Sequence, residues 1–177
     1  MPTPRLVLDT NVCLDLFVFG DASCAALRAA LDAGAVEAIT DAACRDEWLK
    51  VLDYPQWALD AARRAAAVAA FDARLRLLPP SPRREPMAGD SGAATHGSLD
   101  SRFRGNNGIF PRLPRCADPD DQKFLELAQA CAAQWLLSRD NALLKLARRT
   151  RRDHGFDIAT PQAWSHAYAG VSSAKPV

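Results

Sequence analysis

The stretch Arg5-Leu-Val-Leu-Asp9-Thr-Asn11 decides the fold of this chain. Its continuous apolar run at residues 6–8 is typical of a strand buried on both faces of a parallel sheet. Ligands of open α/β sheets bind beyond the carboxyl ends of the strands, and Asp9 follows the strand at that position. A polar residue here is also a good cap for the next helix. Both interpretations of Asp9 stay open at this point.

Apolar runs alternate with amphipathic or alanine-rich segments along the rest of the chain. Strands are predicted at about 36–39, 75–78, 135–138 and 156–159, and helices at about 12–19, 24–33, 42–53, 56–74, 122–133, 141–149 and from 161. This alternation predicts a three-layer α/β/α fold with a central, mainly parallel sheet. A chain of 177 residues suits one domain, which we place at residues 1–170, with a flexible tail at 171–177.

Residues 82–114 interrupt the domain. They are rich in proline, glycine, serine, asparagine and arginine and show no periodicity, which predicts a disordered insert. The alternative is an arginine-rich arm that binds nucleic acid, because residues 82–115 carry a net charge of +3 while the remainder carries −2. We favour the insert.

The cysteines, the apolar runs and the net charge exclude several classes of protein. The five cysteines are scattered and form no C-x-x-C pair, which argues against a disulfide framework or a zinc site and indicates a reducing cytoplasm. The sequence has no apolar run long enough to span a membrane. The nearly neutral overall charge means that any nucleic-acid footprint must be local.

Four acids fall at positions where a solvated carboxylate is not expected. Asp140 repeats the arrangement of Asp9, since it follows a buried strand and precedes a helix. Glu47 shares a helical stripe with apolar residues at i−3 and i+4, and Asp121 shares one with the apolar face of its own helix. Each acid alone has an ordinary explanation as a cap or a first-turn acid. Together the four positions indicate that these carboxylates lie close to one another in the folded protein.

Carboxylates that converge repel one another unless a cation neutralises them. The natural neutraliser is a hard divalent cation bound by oxygen, and Mg²⁺ or Mn²⁺ held in this way activates water and binds the scissile phosphate in hydrolysis. The histidines lie at 96, 154 and 166, where none is placed to act as a base. This pattern favours a metal-dependent hydrolase.

The motifs resemble the PIN-domain family, in the branch described as toxins of toxin–antitoxin pairs. The resemblance covers roughly residues 4–80 and 116–168, and the motifs that carry it are Leu-Val-Leu-Asp9-Thr-Asn11, Glu47, Asp118-Pro-Asp-Asp121-Gln-Lys-Phe-Leu-Glu-Leu-Ala, Leu-Leu-Ser138-Arg-Asp140 and Phe-Asp-Ile-Ala-Thr160-Pro-Gln-Ala-Trp164. It implies a Mg²⁺- or Mn²⁺-dependent endoribonuclease that cleaves RNA, is commonly a homodimer and is inhibited by a cognate antitoxin.

The resemblance also implies roles for individual residues. The acidic quartet would be Asp9, Glu47, Asp121 and Asp140, with Asp118 as a fifth metal-binding acid. Hydrogen bonds to water or phosphate would come from Asn11 and Ser138. Ser138-Arg139 departs from the more usual Thr-Gly, which keeps the hydroxyl but adds a bulky charge. The insert enters just before the third acid.

Two functional interpretations remain. The first is a metal-dependent endoribonuclease that works through the quartet. The second is a PIN-like module that the insert has impaired, and that only binds an antitoxin or RNA. A nucleotide-binding receiver-like domain is a weaker third interpretation, since no lysine follows a strand near the acids.

Overall fold

The computed structural model describes residues 3–79 and 112–172. The strands in these residues are β1 (Arg5–Leu8), β2 (Glu37–Thr40), β3 (Leu75–Leu77), β4 (Trp135–Leu137) and β5 (Asp157–Ala159). They form one sheet in the order β3-β2-β1-β4-β5, and every pairing is parallel. The predicted α/β class with a parallel sheet is confirmed, and β1 is the central strand.

Helices connect the strands. They are α1 (Thr10–Leu14), extended by a π-helical turn at Asp15–Phe19, α2 (Ala25–Asp32), α3 (Ala42–Leu52), α4 (Ala61–Arg74), α5 (Gln122–Ala130), α6 (Asn141–Leu144), α7 (Ala147–His154) and α8 (Pro161–Ser172). Single 3₁₀ turns lie at Ala22–Cys24, Pro55–Trp57 and Pro119–Asp121.

Most helix boundaries differ from the prediction by three residues or fewer, and two helices differ more. The helix predicted at 56–74 begins only at Ala61, because Ala58 adopts a left-handed φ of 44° and Asp60 caps α4 by accepting a hydrogen bond from the Arg63 N–H. The helix predicted at 141–149 is divided into α6 and α7.

The side chains of β1 divide between the two faces of the sheet, as alternation along a strand requires. Leu6 and Leu8 join one apolar cluster, which α1, α2, α4 and α8 cover. Val7 joins a second cluster, which contains Phe124 and Leu125 of α5. The sheet is therefore the middle of three layers, with β1 buried on both faces.

The carboxyl ends of β1 and β4 lie side by side. The Asp9 N–H donates to the Leu137 carbonyl at 2.9 Å, and the Ser138 N–H donates to the Ala159 carbonyl at 3.0 Å. These bonds extend the sheet by one residue on each strand. They place Asp9 next to the turn at residues 138–140.

Several sequence predictions fall partly outside the described residues. This applies to the insert at 82–114, of which only 112–114 are described, and to the tail at 171–177, whose first two residues belong to α8. The five cysteines are free and buried. None of the helices in the described segments is long and apolar enough to cross a membrane.

Candidate active site

Asp9 is a buried carboxylate that does not cap the helix after it. Only 3% of the residue is exposed, and its side chain makes no capping hydrogen bond to α1. Its Oδ2 atom instead accepts hydrogen bonds from Ser138 Oγ at 2.5 Å and from Asn11 Nδ2 at 2.7 Å. The capping interpretation is therefore wrong for Asp9, and the carboxylate is held in place by Asn11 of α1 and by Ser138 of the turn after β4.

Ser138 links Asp9 to the turn that carries Asp140. It is completely buried, and its hydroxyl oxygen accepts a hydrogen bond from the Asp140 N–H at 2.9 Å while donating to Asp9. The Asp140 carboxylate caps α6, since Oδ1 accepts from the Ala142 N–H at 2.5 Å. Asp140 thus has the ordinary capping role that Asp9 lacks. Contact of Asn11 or Ser138 with a substrate stays a prediction.

Glu47, on α3, is paired with a lysine. Its Oε1 atom accepts a hydrogen bond from Thr10 Oγ1 at 2.7 Å, and its Oε2 atom forms an ion pair with Lys123 of α5. About a quarter of each charged side chain is exposed, 27% for Glu47 and 22% for Lys123. Burial alone lowers the pKa of Lys123, but the hydrogen bond and negative charge of Glu47 outweigh it and raise that pKa. The expected cationic partner of Glu47 is therefore present in the chain itself.

Asp118 and Asp121 flank the 3₁₀ turn before α5. Asp118 is exposed and caps this turn, since its Oδ1 atom accepts from the Asp120 N–H at 2.9 Å. Pro119 occupies the first position of the turn, where a proline is favourable. Asp121 is half-buried, which agrees with its predicted place on the apolar face of its helix, while Asp120 is exposed.

The pKa of Asp121 shows that the acids act on one another. Burial raises this pKa most, and four negative charges raise it further, to about 6; in order of effect they belong to Asp9, Asp118, Asp140 and Glu47. Burial also raises the pKa of Asp9, against the lowering effect of its hydrogen bonds. All five predicted acids therefore contribute to one negative region at the carboxyl end of the sheet.

This donor set suits a hard divalent cation, which prefers carboxylate oxygens. Within residues 3–79 and 112–172, however, no group of three or more Asp, Glu, His and Cys side chains is arranged to hold a metal ion. In the present arrangement, Asp9, Asp140 and Glu47 each give at least one oxygen to a protein donor. Binding a metal ion here requires side chains to move.

Arg139 departs from the family pattern, and the contacts that it makes were not predicted from the sequence. Its backbone N–H donates to Asn11 Oδ1 at 3.2 Å, while its Nε atom lies 2.7 Å from Asp15 Oδ2 and its Nη2 atom lies 3.5 Å from Asp21 Oδ2. The added charge is therefore neutralised by the segment after α1. The same residue fixes the Asn11 amide, whose other end holds Asp9.

A cavity of about 440 Å³ opens beside Glu47 and Asp121. One wall is formed by α3 and the residues after it, including Lys50 and Tyr54, and the other by Asp118, Asp120 and Lys123. Thr10, Lys50, Tyr54 and Lys123 were not predicted as site residues. Thr10 and Lys123 lie within the quoted motifs, next to or near an acid, and that proximity was the available signal.

The sequence matches the PIN domain family over residues 5–142. The chain belongs to this family. PIN domains are nucleases that typically use divalent metal ions, and the matched segment contains all five predicted acids. No curated protein matches the chain. The five-stranded parallel sheet of the described residues, flanked by helices, is consistent with the PIN fold.

Proposed function

We propose that this PIN domain is a Mg²⁺- or Mn²⁺-dependent endoribonuclease, and that it acts in the cytoplasm as the toxin of a toxin–antitoxin pair. The observation that carries the nuclease proposal is the buried Asp9 carboxylate, held beside acids that raise the pKa of Asp121 to about 6. Perturbed carboxyl groups in a cleft indicate a functional site. Family membership indicates which chemistry that site performs.

Asp9, Asp121 and Asp140 are the residues that we expect to hold the metal ion, with Asp118 at the exposed rim. A bound divalent cation supplies a nucleophilic water at neutral pH and stabilises negative charge on the phosphate. The chain's own hydrogen bonds from Ser138 and Asn11 hold the Asp9 carboxylate in a fixed orientation. Precise orientation of ligands by such outer contacts is a general requirement of metal sites.

Glu47 is retained as the fourth acid of the proposed site. Its two oxygens contact Thr10 and Lys123, so coordination by Glu47 requires that Lys123 move away. While the Glu47–Lys123 ion pair is present, Lys123 offsets one negative charge in the cleft. This cation reduces the repulsion that the acids would exert on an RNA phosphate.

The experiment that tests this function is cleavage of a mixed RNA pool by the full chain. The assay compares Mg²⁺ and Mn²⁺ with EDTA, and the wild type with Asp9→Asn and Asp140→Asn. We expect metal-dependent internal cuts that both variants lose. Cleavage by the variants at the wild-type rate would show that the acids are wrongly assigned.

The toxin role adds two partners to this proposal, a cognate antitoxin and a second copy of the chain. The support is the resemblance of the motifs to the toxin branch of the family. Induced expression should arrest growth of a host cell, and Asp9→Asn should relieve the arrest. Light scattering of the purified chain tests for the homodimer.

A second candidate is a PIN domain that binds RNA or an antitoxin without cleaving. It is favoured by the Glu47–Lys123 ion pair and by the lack of a ready metal-binding group within the described segments. This alternative predicts no metal-dependent cleavage, even after residues 82–114 are excised. Cleavage by either form of the chain would reject it.

A further inference from the structure

One wall of the 440 Å³ cavity is formed by α3 and the residues that follow it. This wall carries a cation, Lys50, and an aromatic ring, Tyr54, that have no role in the proposed metal site. Lys50 is exposed and forms no ion pair with a described residue, whereas Lys123 on the opposite wall is paired with Glu47. Tyr54 is 47% exposed. It has no side-chain hydrogen bond or ring contact with any residue in the described ranges.

This exposure distinguishes Tyr54 from the other large aromatic residues nearby. Trp48 is only 1% exposed and its ring stacks on Phe71. Phe19 is 51% exposed, but its ring packs edge-on against Trp57 with centroids 5.5 Å apart. Tyr54, unlike Trp48 and Phe19, therefore lines the cavity with a ring that no other described ring contacts and that is available to a ligand.

The backbone holds Tyr54 in place. Its N–H donates to the Val51 carbonyl at 3.1 Å, and its own carbonyl accepts from the Trp57 N–H at 3.1 Å. Its neighbour Asp53 contacts Arg64 of α4 through two hydrogen bonds. A ring on a fixed backbone loses little freedom when a flat ligand stacks on it.

We propose that Tyr54 and Lys50 form a subsite for one unpaired nucleotide of single-stranded RNA, next to the acids of the proposed nuclease site. The inference rests on the proposed function, because it names the part of the RNA substrate that lies beside the scissile phosphate. The uncharged base stacks on Tyr54, away from the acidic wall, and Lys50 contacts the phosphate. Every base has a flat face, so this subsite selects unpaired RNA and tolerates different sequences.

Binding is measured by fluorescence anisotropy with a labelled single-stranded RNA of mixed sequence, in Mg²⁺ and on the Asp9→Asn background so that the RNA stays intact. Loss of one stacked base weakens binding by roughly tenfold, which is the change expected for Tyr54→Ala. Tyr54→Phe keeps the ring and should bind within about twofold of the parent. The matched control is Phe19→Ala, an equally exposed aromatic residue outside this cavity, which should leave affinity unchanged.

Lys50→Gln gives a second readout that does not depend on the aromatic ring. Each lost phosphate contact lowers the slope of log K against log salt by about 0.7 for a single strand, and we expect that change. Tyr54→Ala should leave the slope unchanged. It should also leave affinity for a duplex of the same sequence unchanged, since a paired base cannot stack on the ring.

The outcomes separate this inference from the proposed function. If the wild type cleaves RNA but Tyr54→Ala binds single strands normally, the subsite is wrong and the nuclease stands. The surface is then free to contact a protein partner instead. If no metal supports cleavage but Tyr54→Ala loses affinity as expected, the subsite stands and the nuclease is wrong. No measurable binding of RNA by the parent chain would overturn the subsite.

Discussion

The amino and carboxyl ends of the sheet both carry charged side chains around a cavity. At the amino end, the acidic side chains form ion pairs with arginines. Glu37 there contacts Arg5 at 3.3 Å and Arg76 at 3.1 Å. Arg74 contacts Asp32 at 2.9 Å. Each acid at this end therefore has a cation beside it, and little uncompensated charge remains.

The carboxyl end leaves its acids without such partners. Asp9, Asp121 and Asp140 form no ion pair with a residue of the described ranges, and Lys123 is engaged by Glu47. The consequence is the pKa of Asp121, which burial and the neighbouring charges raise to about 6. Repulsion of this kind costs folding free energy, so it indicates a site kept for function.

The comparison also separates cavity size from the position of the proposed site. The cavity at the amino end, lined by Arg5, Glu37 and Gln134, has a volume of about 610 Å³. The one beside Glu47 and Asp121 has about 440 Å³. Uncompensated charge, not volume, distinguishes the end at which we propose that a cation and a phosphate bind.

The largest expected effect is the response to a metal ion. Mn²⁺ at about 100 times its Kd should raise the free energy of unfolding by about 2.7 kcal/mol, because it binds the folded acids. Asp9→Asn should lose this gain, whereas Glu37→Gln at the amino end should keep it. Chemical denaturation with Mn²⁺ and with EDTA measures the difference. An equal gain in both variants would mean that the ion binds elsewhere.

The next largest effect concerns the hydrogen bonds of Ser138. Ser138→Ala removes one of the two side-chain hydrogen bonds to the buried Asp9 carboxylate and leaves the Asp140 N–H without its hydroxyl acceptor. It should lower the free energy of unfolding by about 2 kcal/mol. Ser165→Ala is the control, since its hydroxyl donates to Gln162 on an exposed part of α8. That variant should stay within about 0.5 kcal/mol of the wild type. Similar losses in both would show that the Ser138 link is unimportant.

Asp121→Asn should stabilise the metal-free protein at high pH. The folded pKa of Asp121 is about 6, above its ordinary value of 3.8, so the stability that this group contributes is present at low pH and is lost as pH rises from about 4 to 6. The variant removes the charge. Near pH 8 we expect a gain of about 1 kcal/mol, reduced from the full shift by partial exposure.

Urea denaturation in EDTA at about pH 4 and about pH 8 checks this prediction. The gain should be absent at the lower pH, where Asp121 is already neutral in the folded protein. Asp46→Asn, on an exposed position of α3, is the control for general charge removal. A gain for Asp121→Asn that is independent of pH would contradict the repulsion argument.

The smallest effect is expected at the amino end. Glu37→Gln removes an acid shared by two partly exposed arginines, and should cost about 0.5 kcal/mol or less. The cost should shrink further as salt screens the pairs. A loss as large as that of Ser138→Ala would show that the two ends of the sheet are equally sensitive.

Much of the fold was predictable because it depends on local patterns. Residues 6–8 are apolar without interruption, which is typical of a strand buried on both faces of a parallel sheet. The start of α3 follows a local signal of the same kind, since Asp41 Oδ1 accepts from the Cys44 N–H at 2.8 Å and caps the helix. The boundary at Ala61 was missed, because the left-handed turn at Ala58 has no glycine to mark it.

The sequence by itself determined the α/β class, the place of Asp9 at the end of β1 and the set of acids that share one region, since these follow from periodicity and chain order. Only the tertiary structure decided how each acid is used. Asp9 contacts Ser138 and Glu47 contacts Lys123, although more than 70 residues separate the members of each pair. Such contacts depend on which strands become neighbours and how helices pack, and no local pattern encodes them.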